Sequence, residues 1–148
     1  MALHSILARE VEGHAQSGTP FTVSLLRVSG MMSAALGADN EEARNFILQR
    51  VAVALTDHAG AGDHLFRYTD SDFLILEVDS SLERCLERQR GLWRRLDDLL
   101  RQHATQHVAA SVRIVIAAAD GHPDYRRLLR RVEFAIASVG EDTPVTAV

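Results

Sequence analysis

The sequence contains no lysine, and all sixteen of its basic residues are arginine. Reactions that need a lysine amine, and phosphate sites built on a lysine, are therefore excluded. The formal net charge is −4 and there is no basic run, so the composition gives no support to nucleic-acid binding. No apolar run approaches the length that crosses a bilayer. We therefore expect neither a nucleic-acid nor a membrane partner.

Cysteine is also scarce. The single cysteine, Cys85, cannot form an internal disulfide, which favours a reducing, cytoplasmic setting. The first ten residues, MALHSILARE, lack the cationic and apolar regions of a signal peptide, in agreement with that localisation. No histidine lies near Cys85 in the sequence, so we expect a packed small hydrophobe rather than a nucleophile.

The chain has enough apolar residues to bury a core. Its 148 residues, 47% of them hydrophobic, predict one domain over residues 1–148, with a leading helix within residues 1–18. Periodicity and turn signals predict five strands, at 21–28, 64–68, 73–78, 108–118 and 144–148. Four helices are predicted at 5–16, from a cap at Asp39 or Asn40 to about 57, from a cap at Ser80 or Ser81 to about 103, and at 124–139.

The order of these elements predicts the architecture. One hairpin combined with helical crossovers indicates an α+β fold with a mixed, mainly antiparallel sheet of about five strands flanked by helices. A ferredoxin-like, polymerase-palm arrangement fits this order.

The predicted hairpin at 64–78 is the most informative segment. Its turn contains Asp70 and Asp72, which face the same way in an extended chain and can together hold a small metal ion. Asp and Ser are also ordinary turn residues, and we favour that interpretation. His103 and His107 have the i, i+4 spacing of a zinc site, but no third ligand is evident. The arginines of residues 84–101 can bind anions or a partner, although interleaved acidic residues favour a solvated face.

Several segments resemble those of a known family, in the family's order. The hairpin RYTDSDF resembles the signature R-Y-G-G-D-E-F, and the strand FTVSLLRV lies where the family has an apolar strand ending in D-x-D. VRIVIAAA and RRLLRRVEFAIASVG resemble the family's last long strand and last helix. Over nearly its whole length the chain thus resembles a GGDEF domain. This resemblance implies the GGDEF fold and, in an intact member, metal-dependent synthesis of cyclic di-GMP from two GTP molecules.

The resemblance fails at the positions that give the family its activity. The family's first metal-binding Asp falls at Arg27, where a cation opposes metal binding, and the second acidic position falls at Ser29. The family's Phe-Lys pair and its guanine-recognising Asn and Asp fall at four further positions, which are Met31, Met32, Ala35 and Arg44.

The signature loop has changed as well. Thr69 and Asp70 replace the two glycines whose backbone approaches the nucleotide, Ser71 replaces one acid, and Asp72 replaces the Glu that ligates metal. The resemblance therefore implies a degenerate GGDEF domain with no catalytic residues and no metal site, which would need Mg²⁺ only if residual nucleotide binding persists. We expect Arg27 to form an ion pair with Asp70 or Asp72 across the former metal site.

The family's product-binding inhibitory motif, R-x-x-D, is altered too. At its spacing the chain has Gly60-Ala61-Gly62-Asp63, so the Asp is kept and the Arg is lost. Arg88 and Arg90 fall close to where the family places a second Arg for the same ligand. Asp63, Arg88 and Arg90 are therefore the candidate residues for cyclic di-GMP.

Three functional hypotheses follow from the resemblance. The favoured one is an inactive regulatory module of bacterial cyclic di-GMP signalling that binds a protein partner or self-associates. The first alternative is a receptor for cyclic di-GMP or GTP. The second is a residual metal-dependent cyclase centred on Asp70 and Asp72.

Overall fold

The computed structural model describes residues 2–30, 38–104, 110–140 and 143–148. These residues form four helices and five strands, and their bounds are as follows. The helices are α1 (Ala2–Ser17), α2 (Ala38–His58), α3 (Leu82–Gln102) and α4 (Tyr125–Ser138). The strands are β1 (Phe21–Ser29), β2 (His64–Arg67), β3 (Asp72–Val78), β4 (Ser111–Ala118) and β5 (Val145–Ala147).

The strands form one mixed sheet in the order β2-β3-β1-β4-β5. Strand β1 pairs antiparallel with both β3 and β4, β2 pairs antiparallel with β3, and β5 is the one parallel addition in the described sheet, beside β4. The predicted α+β fold, with its mainly antiparallel sheet and ferredoxin-like strand order, is therefore confirmed.

Helices cover both faces of the sheet, and alternate residues of β1 contribute to the core on each side. Leu26 and Val28 pack with α2 and α3, whereas Val23 and Leu25 pack with α1 and α4. Cys85 lies fully buried between the sheet and helices α2 and α3, as expected. Burial raises the pKa of its thiol. In the described part of the chain, no helix combines the length and the apolar character needed to cross a bilayer.

Several predicted boundaries shift by a few residues. Strand β3 begins at Asp72 rather than at residue 73, because β1 pairing extends to the Arg27–Asp72 register. Helix α2 begins at Ala38, so Asp39 and Asn40 lie in its first turn instead of before it. Helix α3 has the predicted cap, since the Ser81 side chain accepts a hydrogen bond from the Arg84 amide.

Candidate functional site

The end of β1 and the start of β3 form a charged pair at the edge of the hairpin turn. Arg27 and Asp72 are cross-strand partners, so their side chains lie on the same face. Arg27 Nε donates to Asp72 Oδ1 at 2.8 Å and Nη2 donates to Oδ2 at 3.0 Å. This is a bidentate guanidinium–carboxylate bond, the stronger class of ion pair. The expected ion pair of Arg27 forms with Asp72.

Burial makes this pair more than a surface contact. The Asp72 side chain is 3% exposed and that of Arg27 is 33% exposed. Hydrogen bonding to Asp72 raises the pKa of the Arg27 guanidinium, against the opposing effect of its partial burial. Both oxygens of Asp72 are therefore bonded to a guanidinium that keeps its positive charge at every physiological pH.

The turn between the two strands is held by its own backbone and by Arg67. The Tyr68 and Thr69 amides donate to the Asp72 carbonyl, at 2.8 and 3.3 Å. Arg67 donates from Nε to the Thr69 carbonyl at 2.9 Å and from Nη2 to the Asp70 carbonyl. The Ser71 carbonyl accepts from the Val28 amide at 2.9 Å. These bonds hold the turn against β1 and Arg67.

Tyr68 ties the hairpin to α4, a contact that the sequence did not suggest. Its hydroxyl donates to Glu133 Oε1. Burial, followed by this hydrogen bond, raises the pKa of Tyr68 to about 12. The phenol therefore stays protonated and acts as a hydrogen-bond donor across the physiological pH range.

The residues at this site do not fit the divalent metal that the family's chemistry needs. Both oxygens of Asp72 are bonded to Arg27, and the neighbouring positions Ser29 and Ser71 supply no carboxylate. Among the described residues, no group of three His, Cys, Asp or Glu side chains could hold a metal ion. Asp70 is exposed on the turn, and the ion pair of Arg27 in the described residues is with Asp72.

The other candidate positions are dispersed. Ser29 ends β1 opposite Ser111 of β4, and Arg44 is partly exposed on α2. Four residues considered from the sequence lie outside the described residues, and these are Met31, Met32, Ala35 and His107.

A second charged cluster joins the loop after α2 to β3 and α3. Arg88 Nη1 lies 3.3 Å from Asp63 Oδ2 and 3.0 Å from Glu77 Oε1, and Nη2 donates to the His58 carbonyl at 3.0 Å. Asp63 Oδ2 also accepts from the Gly60 amide at 2.8 Å. Asp63 and Arg88, two of the three candidate ligand-binding residues, are therefore in direct contact, but internal acceptors already use the Arg88 guanidinium.

Glu77 is the residue of this cluster that the sequence analysis missed. Its side chain is 0% exposed. Gln89 donates to its Oε1 at 2.7 Å, and Ser80 donates to its Oε2 at 3.2 Å. Burial raises the pKa of the Glu77 carboxyl, and the Arg88 charge opposes this rise. A Glu within the apolar run FLILEV was the available signal for a buried ionisable group.

An open cleft of about 420 Å³ lies beside this cluster. Asp63 and Arg88 line it together with Arg84, an exposed residue at the start of the arginine-rich segment 84–101. Arg90 is not part of this site, because two positions along a helix turn a side chain by about 200°. It lines a different cleft, between α3 and the segment of β5.

The chain matches a family model over most of its length. The family model described as "Diguanylate cyclase, GGDEF domain" matches residues 3–143. The chain is 27% identical over 137 residues to diguanylate cyclase DosC of Escherichia coli, covering 90% of this chain and 29% of DosC. The chain thus spans less than a third of the length of this curated relative.

Solved structures share the fold. The GGDEF domain of DgcB from Caulobacter crescentus, determined in complex with c-di-GMP, has a TM-score of 0.81 at 16% identity, covering 99% of this chain and 88% of that one. Diguanylate cyclase SiaD from Pseudomonas aeruginosa, in complex with its activator SiaC, has a TM-score of 0.75 at 17% identity, covering 99% of this chain and 56% of that one.

Proposed function

The chain belongs to the diguanylate cyclase GGDEF domain family, and we propose that it is a catalytically inactive member that acts as a regulatory, protein-binding module of cyclic di-GMP signalling. The observation that carries this proposal is the bidentate bond between Arg27 and the buried Asp72. A structural ion pair takes the place of the carboxylate pair that would hold a metal ion.

Nucleotidyl transfer requires the missing features together. Divalent metal ions neutralise the charge that develops on the phosphates, and at least two carboxylates must hold them. Here Asp72 is bonded to the Arg27 guanidinium, and the neighbouring Ser29 and Ser71 carry hydroxyl groups instead of carboxylates. A bound metal would first have to displace the Arg27 guanidinium and would then meet its positive charge.

One relative supplies a precedent for protein binding. DosC and SiaD are both named as diguanylate cyclases, and SiaD is also seen with an activator protein. Binding of a protein partner, or self-association, is a function that survives loss of the metal site. The proposal concerns this domain alone, since it corresponds to less than a third of DosC.

A receptor for cyclic di-GMP is the second candidate, favoured by the open cleft beside Asp63 and Arg88. Arg84 is the arginine there with an exposed side chain, and it can turn towards an anionic ligand. Arg88 is less suited, because Asp63, Glu77 and the His58 carbonyl already bind its guanidinium.

Isothermal titration calorimetry separates these candidates. We expect that neither GTP in the presence of Mg²⁺ nor cyclic di-GMP binds. This result would favour the protein-binding function over the receptor. Micromolar binding of cyclic di-GMP that is lost in Arg84→Ala would instead establish the receptor. Binding of GTP that depends on Mg²⁺ would contradict the proposal, because it requires metal coordination that Arg27 opposes.

A further inference from the structure

A cleft of about 230 Å³ lies between α3 and the segment that leads into β5. Arg90, Trp93 and Arg94 line it from the helix, and Pro144 and Val145 line it from the other side. The cleft therefore combines two cations with an aromatic ring and a proline. It is separate from the Arg27–Asp72 pair and from the cleft beside Asp63.

The apolar floor of this cleft is fixed in position. The Trp93 indole N–H donates to the Val112 carbonyl of β4 at 2.8 Å, which holds the half-buried ring against the sheet. Arg90 and Arg94 lie one helical turn apart, and both are exposed. Within the ranges that the structure describes, neither guanidinium forms an ion pair with a carboxylate.

The cleft borders one edge of the sheet, because β5 is the last strand on that side among the residues that the structure describes. The Pro144 carbonyl accepts from Ile114 and the Val148 amide donates to Ile116, both in β4, each at 2.8 Å. Backbone groups alternate in direction along a strand, so Val145 and Ala147 point their N–H and C=O groups away from β4. These groups form a ready template for an added strand.

From this placement we infer that β5 accepts an extended acidic peptide of a partner protein as a sixth strand. Alternate side chains of the added strand would face α3, with an apolar one on Trp93 and carboxylates on either side at Arg90 and Arg94. This inference rests on the proposed protein-binding function and names the chemistry of the partner.

A second copy of this chain is a poorer occupant of the same edge. Two-fold pairing of two β5 strands would place both α3 helices on one face of a continuous sheet. The Arg90 and Arg94 side chains of the two copies would then approach one another, and like charges across an interface are repulsive. The charge of the cleft thus favours an acidic partner of different sequence.

An array of peptides of the form Thr-X-Thr-X-Thr-X-Thr, probed with the full 148-residue chain, tests the inference. We expect binders to carry Asp or Glu at the outer variable positions and an apolar residue at the central one. Arg90→Glu with Arg94→Glu should weaken these binders by about tenfold or more. Peptides with Lys at the outer positions should then bind the charge-reversed variant instead.

Two further measurements complete the test. When a selected peptide is added, the largest changes in backbone NMR chemical shift should occur at Val145 and Ala147.

Glu141→Gln with Asp142→Asn, which removes negative charge next to this segment in the sequence, should strengthen peptide binding. The inference is overturned if the array shows no preference for acidic residues or if charge reversal leaves binding unchanged. It is also overturned if sedimentation shows a dimer of this chain that depends on Arg90 and Arg94. Any of these results leaves catalytic inactivity intact, because that is measured by product formation from GTP.

Discussion

Arg88→Ala is expected to lower the free energy of unfolding by about 3 kcal/mol, because it leaves buried carboxylates without their cation. The Glu77 side chain is fully buried and that of Asp63 is 6% exposed, and Arg88 is the cation bonded to both. The His58 carbonyl loses its Arg88 donor as well. The figure is at the low end for a broken buried pair, since Arg88 itself is partly exposed.

The cost of Arg88→Ala should depend on pH through Glu77. Burial raises the pKa of this carboxyl, so the native state binds the proton more tightly than the unfolded chain does. Stability is therefore lost as the pH rises from the ordinary pKa of Glu77 through its raised value. The Arg88 charge opposes this rise in the pKa of Glu77, so removal of Arg88 raises that pKa further. The pH range over which stability is lost then becomes wider. We expect a larger loss of stability near neutral pH than near pH 5.

Urea unfolding of the two proteins at both pH values measures this effect. Arg84→Ala is the matched control, since Arg84 lies on the same helix and lines the same cleft with an exposed side chain. It should change stability by no more than about 0.5 kcal/mol. An equal loss in both variants, or a loss in Arg88→Ala that grows on acidification, would contradict the structural role given to Glu77.

Arg27→Ala is expected to lower the free energy of unfolding by about 2–3 kcal/mol, because Asp72 then keeps a buried and uncompensated carboxylate. Asp72→Ala should cost less. It leaves Arg27, whose side chain is a third exposed and can turn towards water. The structure thus predicts an asymmetry between the two single variants.

A double-mutant cycle between Arg27→Ala and Asp72→Ala measures the pair itself by chemical denaturation. The coupling energy should be about 1–3 kcal/mol, as for side chains in direct contact. Arg27→Lys is the conservative control, which keeps the charge and loses the bidentate fork, so its stability should lie between wild type and Arg27→Ala. A coupling energy near zero would show that the bond contributes nothing to the fold.

The fold was largely predictable because its signals are local. The alternation and β-branched content of β1, the apolar stripe of α3 with its cap at Ser81, and the polar turn between β2 and β3 each specify an element within a few residues. The ion pair of Arg27 was also predictable, since the resemblance aligned one residue with a metal ligand and placed an acid opposite it.

The second charged cluster was predictable only in part. Asp63 and Arg88 were grouped as ligand-binding residues, but their internal bonds to Glu77 and Gly60 depend on how a loop, a strand and a helix meet. Proximity along the chain suggested Arg90 as well, although the helical period turns it towards Trp93. Residues that act through tertiary contacts, such as the fully buried Gln89, leave little trace in the sequence.

The most direct test of catalytic inactivity is product formation from GTP, followed by mass spectrometry, with Mg²⁺ and with Mn²⁺. Full-length DosC, a named diguanylate cyclase, is the positive control under the same conditions. We predict no cyclic di-GMP from this chain with either metal, because Arg27 is bonded to the carboxylate that a metal would need. Cyclic di-GMP formation that is abolished in Asp72→Ala would show that Asp72 serves catalysis and would contradict the proposal.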